Sequence, residues 1–167
     1  TFHPRDNKQL ITLRGWLFTA PDSQGTIVIV HGIDSNRADP DVGYLEIADA
    51  FAKRGFSSLL FDLRAHGESG GDQVSGGLFE QDDLLGAIDF VIKRGVPPDQ
   101  IGILGVSLGG AAALLAAAKE PQLQALVIDS SFADLSDLIA TETKKRTSLP
   151  EWLVPIIIPG MLQAANL

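Results

Sequence analysis

One short segment, Gly105 to Gly109, constrains the fold of this chain more than any other. Its central residue, Ser107, follows the apolar run Ile101 to Val106 and precedes the alanine-rich run Leu108 to Lys119. The first run predicts a β-strand and the second predicts a helix, so Ser107 falls on a tight turn between them. Glycine on both sides of the serine lets strand and helix approach closely around a strained backbone. The pattern predicts a serine nucleophile, and a plain packing turn is the alternative.

Segments typical of strands and of helices alternate along the chain. Strands are predicted over residues 9–19, 26–30, 56–61, 101–106 and 123–129, and helices over residues 41–54, 78–94, 108–119 and 134–146. Alternation of this kind predicts an α/β fold, with a mostly parallel central sheet and helices on both of its faces.

Polar side chains stand at or just beyond the ends of four predicted strands: His31, Asp62, Ser107 and Asp129. Open α/β sheets bind their ligands beyond the carboxyl ends of the strands. We therefore expect these four side chains to gather at one edge of the sheet.

Composition excludes several classes of function. The 13 basic and 21 acidic residues give a net charge of −8, which argues against nucleic-acid binding because phosphates attract basic patches. The chain has no cysteine, so disulfides, thiolate metal sites and a cysteine nucleophile are excluded. No apolar run is long enough to span a bilayer. We expect a cytoplasmic protein, and an upstream signal or membrane anchor stays open.

Four acidic residues suggest a metal at first sight: Asp72, Glu80, Asp82 and Asp83. No histidine-rich set of ligands accompanies them, so they are interpreted as solvated charges of a loop and of a helix start. We expect no metal and no cofactor.

Three segments in this order resemble the α/β-hydrolase superfamily: His31-Gly32 after one strand, Asp62 to Ser69 after the next, and Gly105 to Gly109. The likeness is strongest to single-domain bacterial esterase-, lipase- or peptidase-like members, and it extends from about residue 10 to residue 135. It implies the N-terminal portion of an α/β-hydrolase fold. It also implies a serine hydrolase that cleaves carboxylic ester, thioester or amide bonds of a small acyl substrate.

The resemblance assigns roles to individual residues. Ser107 would attack the acyl carbon, and the backbone N–H groups of Ile33 and Leu108 would form the oxyanion hole. A supporting role, in shaping or bracing the site, falls to His31, Gly32, Asp62, Arg64, Gly105 and Gly109. For Asp129, hydrogen bonding at the strand end is the preferred interpretation, and the triad acid is the alternative.

The order of residues departs from the family in one respect. The family's triad runs serine, acid, histidine, but the chain's three histidines, His3, His31 and His66, all precede Ser107. His31 and His66 are rejected as bases because a base must satisfy the triad geometry. The expectation is a fragment that lacks the base, the usual acid and the last strands, and that is inactive by itself. A non-catalytic binding module and an enzyme with an unusual base are the alternatives.

The predicted organisation is a hydrolase core over residues 1–148, with residues 149–167 beginning a lid, a cap or a connecting segment. Residues 149–162 are apolar and broken by three prolines. The predicted strand 123–129 would present an unpaired edge, which favours pairing with another chain. A homodimer through this edge or through the apolar C-terminal segment is therefore expected.

Overall fold

A computed structural model of the protein describes residues 1–6 and 10–132. In chain order the elements of this part are β1 (Gly15–Phe18), β2 (Thr26–Val30), α1 (Tyr44–Ala52), β3 (Ser57–Phe61), α2 (Glu80–Ile92), β4 (Ile101–Val106), α3 (Leu108–Ala117) and β5 (Ala125–Asp129). A short 3₁₀ turn, Pro98–Gln100, leads into β4. All of them belong to one unit, Thr1–Ser131.

The strands form one sheet in the order β1-β3-β2-β4-β5. Strands β2 to β5 run parallel, and β1 pairs antiparallel with β3 at the edge. The predicted mostly parallel sheet is therefore confirmed. Val30 lies opposite both Phe61 and Gly105, and Val106 lies opposite Asp129. The carboxyl ends of the four parallel strands consequently reach the same edge of the sheet.

Helices cover both faces of the sheet, as the sequence predicts. Because successive side chains of a strand point to opposite faces, β2 contributes to two cores. Val28 and Val30 pack in the larger core with the buried side chains of α2 and α3. Ile29 packs in the smaller core with Tyr44 and Ala48 of α1.

Several boundaries differ from the predicted ones. The first strand covers only Gly15–Phe18, and before it Leu13 forms an isolated bridge with Phe2. Leu10, which has a φ of 54°, cannot continue an extended strand. Helix α1 begins at Tyr44 because Gly43, with a φ of 75°, turns the chain just before it. Residues 7–9, the predicted helix 134–146, the apolar segment 149–162 and the boundary at 148/149 lie outside the described residues.

Strand β5 forms one border of the described sheet. Among the described strands it pairs only with β4. Leu126 and Val127 on this strand are 36% and 57% exposed. Dimerisation through this edge remains a prediction.

The described helices are short, with 9, 13 and 10 residues in α1, α2 and α3. A helix needs roughly 20 predominantly apolar residues to cross a bilayer. Within residues 1–6 and 10–132, no helix combines the length and the apolar character for that.

Candidate active site

The candidate site lies where the order of strands reverses. From β2 the chain passes to β3 on one side, and it then crosses to β4 on the other side of β2. His31 follows β2 and Ser107 follows β4, so the two residues leave neighbouring strands at the same edge. In open α/β sheets this reversal opens a crevice in which ligands bind.

The backbone of Ser107 is strained. Its φ of 51° and ψ of −114° are rare for any residue other than glycine. Three hydrogen bonds fix this turn: Ser107 N–H donates to Asp129 O at 2.9 Å, and Ser107 O accepts from the N–H groups of Gly110 at 2.9 Å and Ala111 at 3.1 Å. Strain that the surroundings hold in this way is typical of functional sites. Ser107 is half-buried on the turn that leads into α3.

Two glycines let α3 approach the sheet closely. A Cβ atom on Gly109 would lie 2.4 Å from the Val30 carbonyl oxygen and 2.6 Å from that of His31. A Cβ atom on Gly105 would lie 2.6 Å from the Gly109 carbonyl oxygen. These neighbours are backbone atoms that cannot rotate away, so any side chain at either position would push the helix off the sheet.

The loop after β2 lies against the serine. A Cβ atom on Gly32 would lie 3.2 Å from Ser107 Cβ and 3.8 Å from Ser107 Oγ. Ile33, the next residue, is 56% exposed. Leu108 is the first residue of α3, so its N–H has no acceptor within the helix, and the helix dipole favours negative charge there. Both predicted oxyanion donors therefore belong to segments that border Ser107.

His31 holds this loop with both of its ring nitrogens. Nδ1 lies 2.7 Å from the Gly32 carbonyl oxygen, and Leu63 N–H donates to Nε2 at 3.0 Å. Since one partner accepts and the other donates, the ring is neutral and carries its proton on Nδ1. Burial lowers the pKa of His31 to about 4. With its lone pair engaged by Leu63, the imidazole offers no site for a proton from Ser107.

Acidification is expected to destabilise the protein through His31. The folded state lowers the pKa of this group from 6.5 to about 4, so in that interval the unfolded chain binds more protons. Stability from His31 is fully present above pH 6.5 and falls by about 3 kcal/mol as the pH approaches 4. Urea unfolding of the protein and of His31→Gln between pH 7 and pH 4 measures this loss. The difference in free energy of unfolding between the protein and His31→Gln should shrink by that amount as the pH falls. Parallel pH profiles would contradict the assignment of a neutral, buried His31.

The other two histidines also bind backbone carbonyls. His66 Nδ1 lies 2.8 Å from the Arg64 oxygen, and its ring meets that of His31 edge-on at 5.1 Å. His3 Nδ1 lies 2.7 Å from the Ile11 oxygen. Within the described part of the chain, no hydrogen bond joins a histidine to Ser107 Oγ.

Asp62 braces the same loop through a partner that the sequence analysis missed. This fully buried carboxylate accepts from Arg37 N–H and Glu68 N–H, both at 2.8 Å, and forms a salt bridge with the buried Arg37 guanidinium. The guanidinium also lies 4.2 Å from the centre of the Trp16 ring. The sequence gives no sign that Arg37 is buried, because its partner Asp62 lies 25 residues farther along the chain.

The expectation of solvated helix-start charges is wrong for Glu80. Its side chain is fully buried and accepts from Ser75 N–H at 2.8 Å, Ser75 Oγ at 2.7 Å and Gly77 N–H at 2.8 Å. The helical spacing indicates that Glu80 is buried, because Glu80 lies four residues before Leu84 and therefore on the apolar face of α2. It anchors the loop that enters this helix.

The same expectation is wrong for Asp83, which is also fully buried. Asp83 Oδ2 accepts from Arg64 N–H at 2.9 Å, and Oδ1 accepts from Arg64 Nη2 at 2.7 Å. Burial raises the pKa of Asp83, and the contact with Arg64 opposes that shift. Arg64 thus braces the loop after β3 against α2, whereas Asp62 braces the loop after β2. Asp72 is exposed and Asp82 is half-buried.

Asp129 binds its neighbour at the end of β5. Its Oδ1 accepts from Ser130 Oγ at 2.8 Å, and its side chain is exposed. This is a strand-end hydrogen bond of the kind that the sequence favours. The alternative role of Asp129 as triad acid remains a prediction. No cluster of three potential metal ligands occurs among the side chains that the structure describes.

Several known proteins are similar to this chain. A relative from Bacillus subtilis strain 168, an uncharacterized protein called YqkD, is 31% identical over 147 residues, which are 86% of this chain and 47% of the relative. The thiohydrolase aneE of Aspergillus aculeatus is 29% identical over 83% of this chain and 46% of its own length. The Pyrococcus furiosus esterase Pf2001 superposes with a TM-score of 0.76 at 27% identity, covering 99% of this chain and 64% of the esterase.

The chain spans about half the length of the curated relatives that it matches. The sequence model of the alpha/beta hydrolase fold matches residues 25–154. That match contains β2 to β5, the strained serine and the loop against it. The chain therefore belongs to the alpha/beta hydrolase fold family.

Proposed function

We propose that this chain carries the nucleophile and the oxyanion hole of a serine hydrolase that cleaves carboxylic ester, thioester or amide bonds of a small acyl substrate. One observation carries the proposal: the strained Ser107 at the start of α3 lies against Gly32 at the strand-order reversal. An esterase and a thiohydrolase among the similar proteins support this reaction class.

The proposed reaction begins when Ser107 Oγ attacks the acyl carbon. The carbonyl oxygen becomes an oxyanion, which the N–H groups of Ile33 and Leu108 stabilise. Each such donor is worth about 2.7–4 kcal/mol of barrier, because it is fixed before charge develops. The serine proton passes to a base, which then protonates the leaving group. Water next repeats the attack on the acyl-enzyme and frees the acid.

We propose that the base lies outside residues 1–167. The three histidines of the chain bind backbone carbonyls, and His31 in addition accepts a backbone N–H. The triad acid would likewise come from outside this range, with Asp129 as the alternative within it. On this proposal residues 1–167 alone turn over very little substrate.

Covalent labelling tests the proposal. The chain of residues 1–167 and the polypeptide that includes the base are each treated with a fluorophosphonate probe, and peptide mass spectrometry locates the adduct. We expect the longer polypeptide to be labelled on Ser107 and the shorter chain to remain unlabelled. Ser130→Ala is the matched control, because Ser130 is an exposed serine at the end of the neighbouring strand, and it should leave labelling unchanged.

Each other outcome has a distinct meaning. Labelling of the chain 1–167 on Ser107 would place a base within it and contradict an outside base. An adduct on Ser130 instead of Ser107 would contradict the assignment of Ser107 as the nucleophile. Absence of any adduct in the longer polypeptide would contradict a serine hydrolase and favour the binding module.

A further inference from the structure

A buried carboxylate sets the shape of the entry loop, residues 75–79, which leads into α2. Glu80 Oε1 accepts from Ser75 N–H at 2.8 Å, and Oε2 accepts from Ser75 Oγ at 2.7 Å and from Gly77 N–H at 2.8 Å. Ser75 Oγ in turn accepts from Phe79 N–H at 2.6 Å. Glu80 and Ser75 are both fully buried, so water does not compete for these bonds. The Glu80 carboxylate therefore holds the entry loop in one conformation.

Gly77 of the entry loop lies against the helix that carries the serine. A Cβ atom on Gly77 would lie 3.3 Å from each of three atoms of α3: Ala111 C, Ala111 Cβ and Ala112 N. This separation is shorter than an optimal van der Waals contact, so only glycine fits there without a shift. The φ of Gly77 is 111°, which also disfavours any other residue. Ala111 N–H donates to Ser107 O at 3.1 Å. The entry loop thus contacts a residue that is hydrogen-bonded to Ser107.

The first turn of α3 has close neighbours on three sides. Gly109 approaches the end of β2, and a Cβ atom on Gly110 would lie 2.8 Å from Ile128 Cγ2 at the end of β5. The next residue along the helix meets the entry loop. Successive residues of a helix point about 100° apart, so these three contacts fall on different sides of α3. Because the ends of β2 and β5 occupy two of these sides, a push from the entry loop finds little empty space and alters the turn at Ser107.

We propose that Glu80 and Gly77 are positioning residues for the serine nucleophile. Through the entry loop, the Glu80 carboxylate holds the Gly77 backbone against α3 and so fixes where Ser107 Oγ lies relative to the oxyanion donors. This inference rests on the proposed serine hydrolase function. It assigns to both residues the placement of the first turn of α3, not contact with substrate. Such placement matters because a misplacement of about 1 Å between reacting groups can slow a reaction about 100-fold.

Gly77→Ala tests the contact with α3, and Gly95→Ala is its matched control. The two glycines flank α2 and have φ values of 111° and 91°, so alanine strains the backbone at both positions. A Cβ atom on Gly95 would meet no atom within 4 Å, whereas one on Gly77 would meet α3. We expect both variants of the polypeptide that includes the base to melt about 5 °C lower. Only Gly77→Ala should in addition slow the labelling of Ser107 by the fluorophosphonate, by about 10-fold.

Glu80→Gln tests the carboxylate. Glutamine keeps the shape of the side chain but replaces one acceptor oxygen by an NH₂ group, which then faces a donor of the entry loop. We expect labelling of Ser107 to slow about 5- to 10-fold, and kcat for a chromogenic ester to fall with KM unchanged. Asp82→Asn is the control, because it removes a charge from the same turn of α2 at a carboxylate that faces Lys119 at 4.0 Å. It should leave labelling unchanged.

Equal labelling rates in Gly77→Ala and Gly95→Ala would overturn the role of the contact, and an unchanged rate in Glu80→Gln would overturn the role of the carboxylate. A variant that fails to fold leaves the decision to the other test. If the unsubstituted protein is not labelled, the proposed function fails instead. Amide hydrogen exchange of Ala111, whose N–H binds Ser107 O, then tests the positioning by itself. We expect faster exchange in Gly77→Ala than in Gly95→Ala, and equal rates would overturn the inference.

Discussion

Replacing Ser107 by alanine is expected to lower kcat for ester hydrolysis by about 10⁶-fold in the polypeptide that includes the base. The variant keeps the oxyanion hole and the substrate site but has no oxygen to form the acyl-enzyme. A residual rate about 10³ above that of water is expected from the remaining groups. Steady-state hydrolysis of a p-nitrophenyl ester and of a matching thioester measures both rates.

The backbone of Ser107 supplies a control for this experiment. A φ of 51° strains alanine as it strains serine, whereas glycine adopts this region freely. We expect Ser107→Gly to be as inactive as Ser107→Ala but to melt at a higher temperature. If the alanine variant retained a hundredth of the activity or more, another nucleophile would have to perform the reaction.

The parts of this site that the sequence predicts are local ones. The turn at Ser107 follows from an apolar strand, two glycines and an alanine-rich helix, all within 19 residues. The strand at residues 26–30 follows from an unbroken β-branched run, which is typical of a strand covered on both faces. Once these strands lie parallel, their carboxyl ends share an edge, and the pairing of β2 with β4 in the structure makes His31 and Ser107 neighbours there.

The parts that the sequence does not predict are pairings between distant residues. Periodicity assigns a side chain to a face but does not name the group that it meets there. Arg37 lies in the loop between β2 and α1, where no periodic pattern distinguishes a buried cation from a solvated one. Glu80 and Asp83 show the converse: their helical positions indicate the buried side of α2, although acidic residues are usually exposed. Arg37 and Asp83 each meet an opposite charge on a distant segment, whereas Glu80 is satisfied by Ser75 and Gly77 of the loop just before α2.

The ion pairs of Arg37 lead to a second prediction with a large effect. Asp62→Ala is expected to lower the free energy of unfolding by about 3–5 kcal/mol, since it leaves a buried guanidinium without its buried counter-charge. Arg37 N–H and Glu68 N–H lose their acceptor in the same step. Urea unfolding at pH 7 measures the loss.

Glu68 provides the matched control, because it is the other salt-bridge partner of the same guanidinium. Its side chain is 70% exposed, whereas that of Asp62 is fully buried. Water replaces an exposed carboxylate easily, so Glu68→Ala should cost less than about 1 kcal/mol. Equal losses in the two variants would show that charge alone, and not burial, fixes this loop. A larger loss in Asp62→Ala would mean that the buried carboxylate holds the loop after β2. Asp62 contacts no substrate, but this loop must present the Ile33 N–H to the oxyanion. Asp62→Ala would then also slow the labelling of Ser107.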